Sequence, residues 1–152
     1  MQVLINAKAD INSATQNSYI ALGSAMKGGN PACAQVLIDA KADPNVRDLG
    51  NDTLLIWAAN NGHAVYIRML AEAKADLNTT NQVGETALIL AILRGDTECL
   101  QVLVDAKADV TAVTRGGCTA LMLAASRGET KFVDILLRAA VVDAACSRPR
   151  LL

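Results

Sequence analysis

The sequence predicts an all-α solenoid of stacked helix-turn-helix units with projecting loops or hairpins. Three observations carry that prediction: a strict internal period, two short helical patterns in each period, and a turn-rich polar stretch between them. Shifting the chain against itself by 33 residues superposes the string Ala-Lys-Ala-Asp at 7, 40, 73 and 106. The same shift aligns Leu22, Leu55, Leu88 and Leu121, then Ala25, Ala58, Ala91 and Ala124, then Gly29, Gly62, Gly95 and Gly128. No insertion disturbs the spacing, so every unit is the same supersecondary element.

In order along the chain, a partial unit at 1–12 precedes four full ones at 13–45, 46–78, 79–111 and 112–144, and an irregular basic tail follows at 145–152. The third full unit shows the logic of all four. Thr86 suits an N-cap, because its hydroxyl accepts a bond from an orphan amide, and Ala87 to Leu93 is an apolar helix closed by Gly95. Thr53 and Thr119 repeat that cap. In a second helix Cys99, Val102 and Leu103 stand at i, i+3 and i+4, with Glu98, Gln101 and Asp105 mainly between them. Two helices of this length bury no core alone, so each pair must stack on its neighbours at roughly 8–10 Å between axes. The stretch from Asn78 to Glu85 holds turn residues and is expected to fold back as a loop or hairpin.

Composition removes several classes of function. The formal net charge is −1, from 14 basic and 15 acidic side chains, so nothing marks a polyanion-binding protein and no nucleic-acid partner is expected. With 52% hydrophobic residues and three prolines the chain is built to pack. The longest apolar runs, Leu54 to Ala59 and Ala87 to Leu93, fall far short of the ~20 residues of a membrane span, and none is expected. Val3 to Ile5 is too short for a signal-peptide core. The four cysteines, at 33, 99, 118 and 146, form no C-x-x-C pair, which fits a reducing, intracellular and cytoplasmic setting.

With a 33-residue period, two helices and a turn, and with Thr-Ala-Leu-Ile-Leu-Ala at 86–91 and Thr-Ala-Leu-Met-Leu-Ala at 119–124, the chain resembles the ankyrin repeat. Gly62-His63 at the start of a second helix and the run from Leu37 to Asn45 look like the same pattern. The resemblance implies a non-catalytic module binding a partner protein, as one part of a larger intracellular protein. The alternative is a spacer or tether for a neighbouring catalytic domain such as a kinase, an acyltransferase or a ubiquitin-ligase component.

Three departures from the family pattern carry physics. Leu54, Ala87 or Ala120 replaces the family's proline, and Ile56, Ile89 or Met122 its histidine, so apolar packing should replace inter-repeat hydrogen bonds. Lys8, Lys41, Lys74 and Lys107 stand where a left-handed glycine normally closes helix two, so either the helix ends differently or packing offsets a strain of roughly 1–2 kcal/mol. Those lysines, flanked by Asp10, Asp43, Asp76 and Asp109, read as a largely neutralised, solvated edge rather than a docking strip for an acidic ligand. The ends lack obvious polar caps: Val3, Leu4 and Ile5 would expose an apolar edge, and Ala139 to Val142 replaces Ala-Lys-Ala-Asp. A monomer is expected only if the array is adequately capped.

No catalytic constellation assembles, and neither a metal nor a cofactor is expected. His63, the only histidine, is read as a cap on helix two. Cys33 and Cys99 share a core position with Tyr66 and Phe132 and lie two units apart, ~20 Å by helix stacking, too far for a disulfide. Cys118 is a loop residue, and Trp57 aligns with Leu90 and Leu123 as a core residue.

The resemblance places partner binding at loop tips and first-helix ends. These are Gln16, Asn17, Tyr19 and Lys27 in the first full unit and Leu49, Asp52, Asn60 and Asn61 in the second. They continue as Gln82, Val83, Glu85, Leu93 and Arg94, then Arg115, Cys118, Ser126 and Arg127. Tyr19, Leu93 and Val83 are candidate apolar anchors. Arg94, Arg115 and Arg127 make the carboxy-terminal groove basic and favour a protein partner with an acidic segment.

Overall fold

The computed structural model describes residue 12, residues 20–48 and residues 50–146. Its regular elements there are eight helices, in four consecutive pairs: α1 (Ala21–Lys27) with α2 (Pro31–Asp39), α3 (Leu54–Asn60) with α4 (Ala64–Glu72), α5 (Ala87–Arg94) with α6 (Thr97–Asp105), and α7 (Ala120–Ser126) with α8 (Thr130–Cys146). The first helices α3, α5 and α7 pack in succession, and so do the second helices α2, α4, α6 and α8. This is the stacked solenoid that the period predicts. The expected apolar edge at Val3 to Ile5 lies outside the described residues.

Each unit starts and stops its helices by the same devices. Thr53, Thr86 and Thr119 accept bonds from the amides of Ile56, Ile89 and Met122, satisfying a donor that the helix cannot. The first unit has Ile20 in that place and no side-chain cap bond. First helices close on Gly29, Gly62, Gly95 and Gly128, all left-handed. In the third unit Asp96 N–H reaches Ala91 O and Gly95 N–H reaches Ile92 O, the paired bonds of a Schellman motif.

Second helices close on the same motif with lysine in the glycine place. Lys41, Lys74 and Lys107 have φ of 68°, 63° and 68°, so of the two alternatives the strained one holds. Lys74 N–H donates to Ala71 O and Ala75 N–H to Leu70 O, and the neighbouring units repeat both bonds. The alanine that follows each lysine, Ala42, Ala75 or Ala108, is buried, which ties the strained turn to the core.

The acidic residues beyond the lysines do something other than pair with them. Asp76 N–H donates to Asn45 Oδ1 at 2.8 Å and Asp109 N–H to Asn78 Oδ1 at 2.9 Å, while Asp43 N–H donates to Asn12 Oδ1 at 2.8 Å. Their carboxylates accept the amides of Asn45, Asn78 and Thr111 two residues on. The edge is therefore a ladder of backbone-to-asparagine bonds, and the ion pairs among the described residues are Lys27–Asp48 and Arg138–Asp134.

The core runs the length of the stack, with Leu22, Leu55 and Leu88 each at most 1% exposed and Ile56 and Ile89 likewise. These isoleucines stand at the family's histidine position, and burial against the next unit replaces the hydrogen bonds. The fourth unit differs. Without a left-handed residue at Ala140, α8 continues to Cys146, so Ala145 and Cys146 are helical where an irregular tail was expected.

Candidate functional site

Loop tips and first-helix ends form one edge of the stack. Each loop closes on itself around an acceptor at the same repeat position. Asp48 Oδ1 takes the amides of Gly50 and Asp52, Asn81 Oδ1 those of Val83 and Glu85, and Thr114 Oγ1 that of Cys118. A left-handed residue follows in each loop, Asn51, Gly84 or Gly117, and an isolated antiparallel bridge returns the chain to the capping threonine. At position 51 an asparagine tolerates that conformation because its short polar side chain suits it.

The tips are also tied to one another. Arg115 Nη2 donates to Gln82 O at 2.9 Å, and Gln82 Nε2 donates to Gly50 O at 2.6 Å, each crossing one unit. Lys27, the last residue of α1, reaches forward to Asp48 at 3.1 Å. Three expected contact residues thus spend polar atoms holding neighbouring units in register. Arg115 engages one guanidinium nitrogen in this way but stays exposed and cationic, so it adds to the basic character that Arg94 and Arg127 give this edge.

The other expected residues divide by exposure. Val83 stands 55% exposed at its tip, and Asn60, Asn61, Arg94, Cys118, Ser126 and Arg127 are exposed, whereas Leu93 is half-buried. Asn61 Nδ2 closes onto Trp57 O at 2.7 Å, and Ser126 Oγ onto Leu123 O at 2.9 Å. Arg94 lies over Gly62 of the preceding unit, its Nη2 3.9 Å from where a Cβ would stand. Glu85 is half-buried and accepts from Asn81 Nδ2. Gln16, Asn17, Tyr19 and Leu49 lie outside the described residues.

Asp52 is electrostatically distinct. Its Oδ1 is buried without a hydrogen-bond partner. Burial and then the Asp48 carboxylate push its carboxyl up, against weaker pulls from Arg47 and Lys27. For Asp48, burial pushes upward, but the Lys27 hydrogen bond and the amides of Asp52 and Gly50 outweigh it, and the net shift is down.

A cleft of about 570 Å³ opens where α1 ends and α4 begins, lined by Met26, Pro31, His63, Val65, Tyr66 and Glu98 among others. His63 occupies the N-cap position of α4 but makes no side-chain cap bond, contrary to the expected capping role. Its ring packs against Trp57 at 5.2 Å and edge-on to Tyr66 at 5.7 Å, an arrangement favoured by ring quadrupoles. Trp57 is half-buried against the core, as its alignment with leucines implies. Val65, 60% exposed on this cleft, was missed from the sequence. The signal was present, since Val65 stands at a position that Glu98 and Lys131 fill elsewhere, where an apolar residue has no packing reason.

Among the described residues no group of three acidic, histidine or cysteine side chains is arranged to hold a metal. Cys33, Cys99 and Cys118 are free thiols. Burial, then Asp96, pushes the Cys99 thiol up to about 12, which makes it inert as a nucleophile. No helix among the described residues is long and apolar enough to cross a membrane.

Comparison with curated proteins returns no match to the chain. The family model describing ankyrin repeats in three copies matches residues 1–81 and again 67–146, which together span the array. The matched stretches hold the capped first helix, the glycine turn, the second helix and the bridged loop described above. The chain belongs to the ankyrin-repeat family, whose units generally serve as protein-protein interaction modules.

Proposed function

We propose that the chain is a non-catalytic protein-binding module of a larger intracellular protein, taking a segment of its partner across the loop tips and first-helix ends. The observation that carries this is the contrast between framework and edge. Caps, turns and core leucines repeat from unit to unit, while the residues at the first-helix ends vary: one repeat position reads Lys27, Asn60, Leu93 and Ser126, and the next reads Gly28, Asn61, Arg94 and Arg127, with arginine shared only by the last two units. A uniform spacer has no physical need for that variation.

The chemistry of the edge suggests what it holds. Val65 and the cleft beside it suit an apolar side chain, and Arg94 and Arg127 suit carboxylates further along the same segment. The non-catalytic reading is supported by the titrating groups themselves, because Asp48 and Asp52 are structural members of a loop and Cys99 is a buried packing residue. Free thiols at 33, 99 and 118 fit a reducing compartment.

The test compares proteins captured from lysate of the source cells by three chains. One is unaltered, one carries Arg94→Glu with Arg127→Glu, and one carries Lys41→Glu with Lys107→Glu at the ends of the second helices. The expected result is a partner lost only with the arginine variant. The same capture by all three would overturn the groove and favour the spacer.

A further inference from the structure

Val65 breaks the pattern of its repeat position. The second residue of each second helix reads Ala32, Val65, Glu98 and Lys131, exposed in every unit, and only Val65 among them is a large apolar side chain. It lies on the second full unit, with described units before and after it, and borders the cleft of about 570 Å³ to which Met26 and Pro31 of the unit before and Glu98 of the unit after also contribute. The turns between first and second helices are formally uncharged in the first two units, Gly28 to Asn30 and Asn61 to His63. From the third unit on they carry charge, at Arg94 and Asp96 and then Arg127 and Glu129.

The charges around the cleft select its occupant. A carboxylate entering it meets Glu98, which makes no ion pair or hydrogen bond among the described residues. A cation meets Lys27 in the same lining and the Arg94 guanidinium that lies over Gly62. A plain aliphatic chain strips water from Glu98 and His63 and returns no hydrogen bond, which is costly for polar groups. A neutral ring bearing an N–H or O–H avoids all three penalties. Its face packs on Val65, Pro31 and the Met26 thioether, and its donor reaches the Glu98 carboxylate. Trp57, His63 and Tyr66 already pack with ring centroids between 5.2 and 6.1 Å apart, and His63, the exposed member, offers a further ring a stacking partner.

We propose that this cleft is the anchor pocket for a tryptophan or tyrosine of the partner segment, with the carboxylates that answer Arg94 and Arg127 following it toward the fourth unit. The proposal rests on the binding groove proposed above and adds the identity of its anchor. Tryptophan and tyrosine are the residues that most often dominate interface energy from such a pocket. One unit spans roughly 8–10 Å, or about three residues of extended chain at ~3.3 Å each, so the two carboxylates stand about three residues apart.

The experiment selects random peptides displayed on phage against the full chain. The selected peptides, made synthetically, are then titrated against the unaltered chain and against Val65→Glu, Glu98→Ala and Arg94→Glu with Arg127→Glu variants. The peptides are expected to share a tryptophan or tyrosine with two acidic residues about three apart on one side of it. Replacing that ring by leucine should weaken binding roughly three- to tenfold. Val65→Glu should weaken it about tenfold. Glu98→Ala should weaken the aromatic peptide and leave the leucine peptide nearly unchanged, because leucine has no donor to lose. Far-ultraviolet circular dichroism of both variants should match the unaltered chain, since both side chains are exposed. Acidic peptides that lack an aromatic residue and are lost on the arginine reversals would overturn the anchor and leave the groove standing. Aromatic peptides that bind Val65→Glu and Glu98→Ala as tightly as the unaltered chain would also overturn the anchor. Peptides indifferent to every variant, or no enrichment at all, would overturn both readings.

Discussion

The lysines at the ends of the second helices give the sharpest stability prediction. At Lys41, Lys74 and Lys107 the backbone is left-handed, with φ between 63° and 68°, and each Cβ is held against the following carbonyl. Removing that Cβ relieves roughly 1–2 kcal/mol at each site. Glycine returns some of this through the freedom it gains in the unfolded chain, about 0.5–1 kcal/mol. The net gain is about 0.5–1 kcal/mol per site. The sites lie one unit apart and share no side-chain partner, so their effects should add, giving about 2 kcal/mol for the triple Lys→Gly variant. For a chain of this size that corresponds to a rise in Tm of roughly 4–8 °C. Urea and thermal unfolding followed by circular dichroism would measure it. The triple Lys→Ala variant is the control, because it removes the same charges and keeps the Cβ, so it should stay close to the unaltered chain. A glycine variant no more stable than the alanine variant would refute the strain argument.

Other substitutions test the remaining supports. Thr86→Ala removes a buried cap on α5 and should cost about 1 kcal/mol in urea unfolding. Asn78→Ala deletes one rung of the edge ladder, with an expected loss of about 1 kcal/mol on the same assay. Leu88→Ala opens a cavity at the centre of the stack and should cost about 2–5 kcal/mol. The two loop aspartates should respond to pH with opposite signs. Asp52 has a folded value above its ordinary 3.8, so its neutral form favours the fold, and that contribution is lost as pH rises through the folded value. Asp52→Asn should therefore stabilise the chain at pH 7, with the gain vanishing below about pH 3.8. Asp48 lies below 3.8 when folded, so Asp48→Asn should destabilise at pH 7 and the deficit should fade as pH falls through that lower value.

What the sequence made legible follows from which interactions leave a side-chain signature. Thr53, Thr86 and Thr119 announce caps and Gly29, Gly62, Gly95 and Gly128 announce turns, because each of those roles demands a residue type. The lysine turns were ambiguous, since lysine carries no preference for a left-handed backbone and only the Schellman bonds decide the matter. That Arg115 and Gln82 also tie neighbouring loops together left no mark in the sequence, because their acceptors are main-chain carbonyls, which any residue supplies. His63 was read as a cap from its position, but the rings of Trp57 and Tyr66 hold it elsewhere; Tyr66 stands three residues on, a spacing that does signal a contact, whereas Trp57 reaches it across the turn from α3. Asp43, Asp76 and Asp109 looked like counter-ions to neighbouring lysines, whereas their short side chains reach an amide two residues on more easily than an ammonium.

Site-specific photo-crosslinking tests partner binding at the groove most directly. A benzophenone side chain would replace Asn61 on the groove edge in one chain, and Glu72 on α4, away from that edge, in another. Irradiation in lysate of the source cells should join a partner protein to the chain labelled at 61 and not to the one labelled at 72, and Arg94→Glu with Arg127→Glu should suppress that adduct. An adduct at 72 alone, or adducts at 61 that the arginine reversals leave unchanged, would contradict a groove that recognises its partner through these residues.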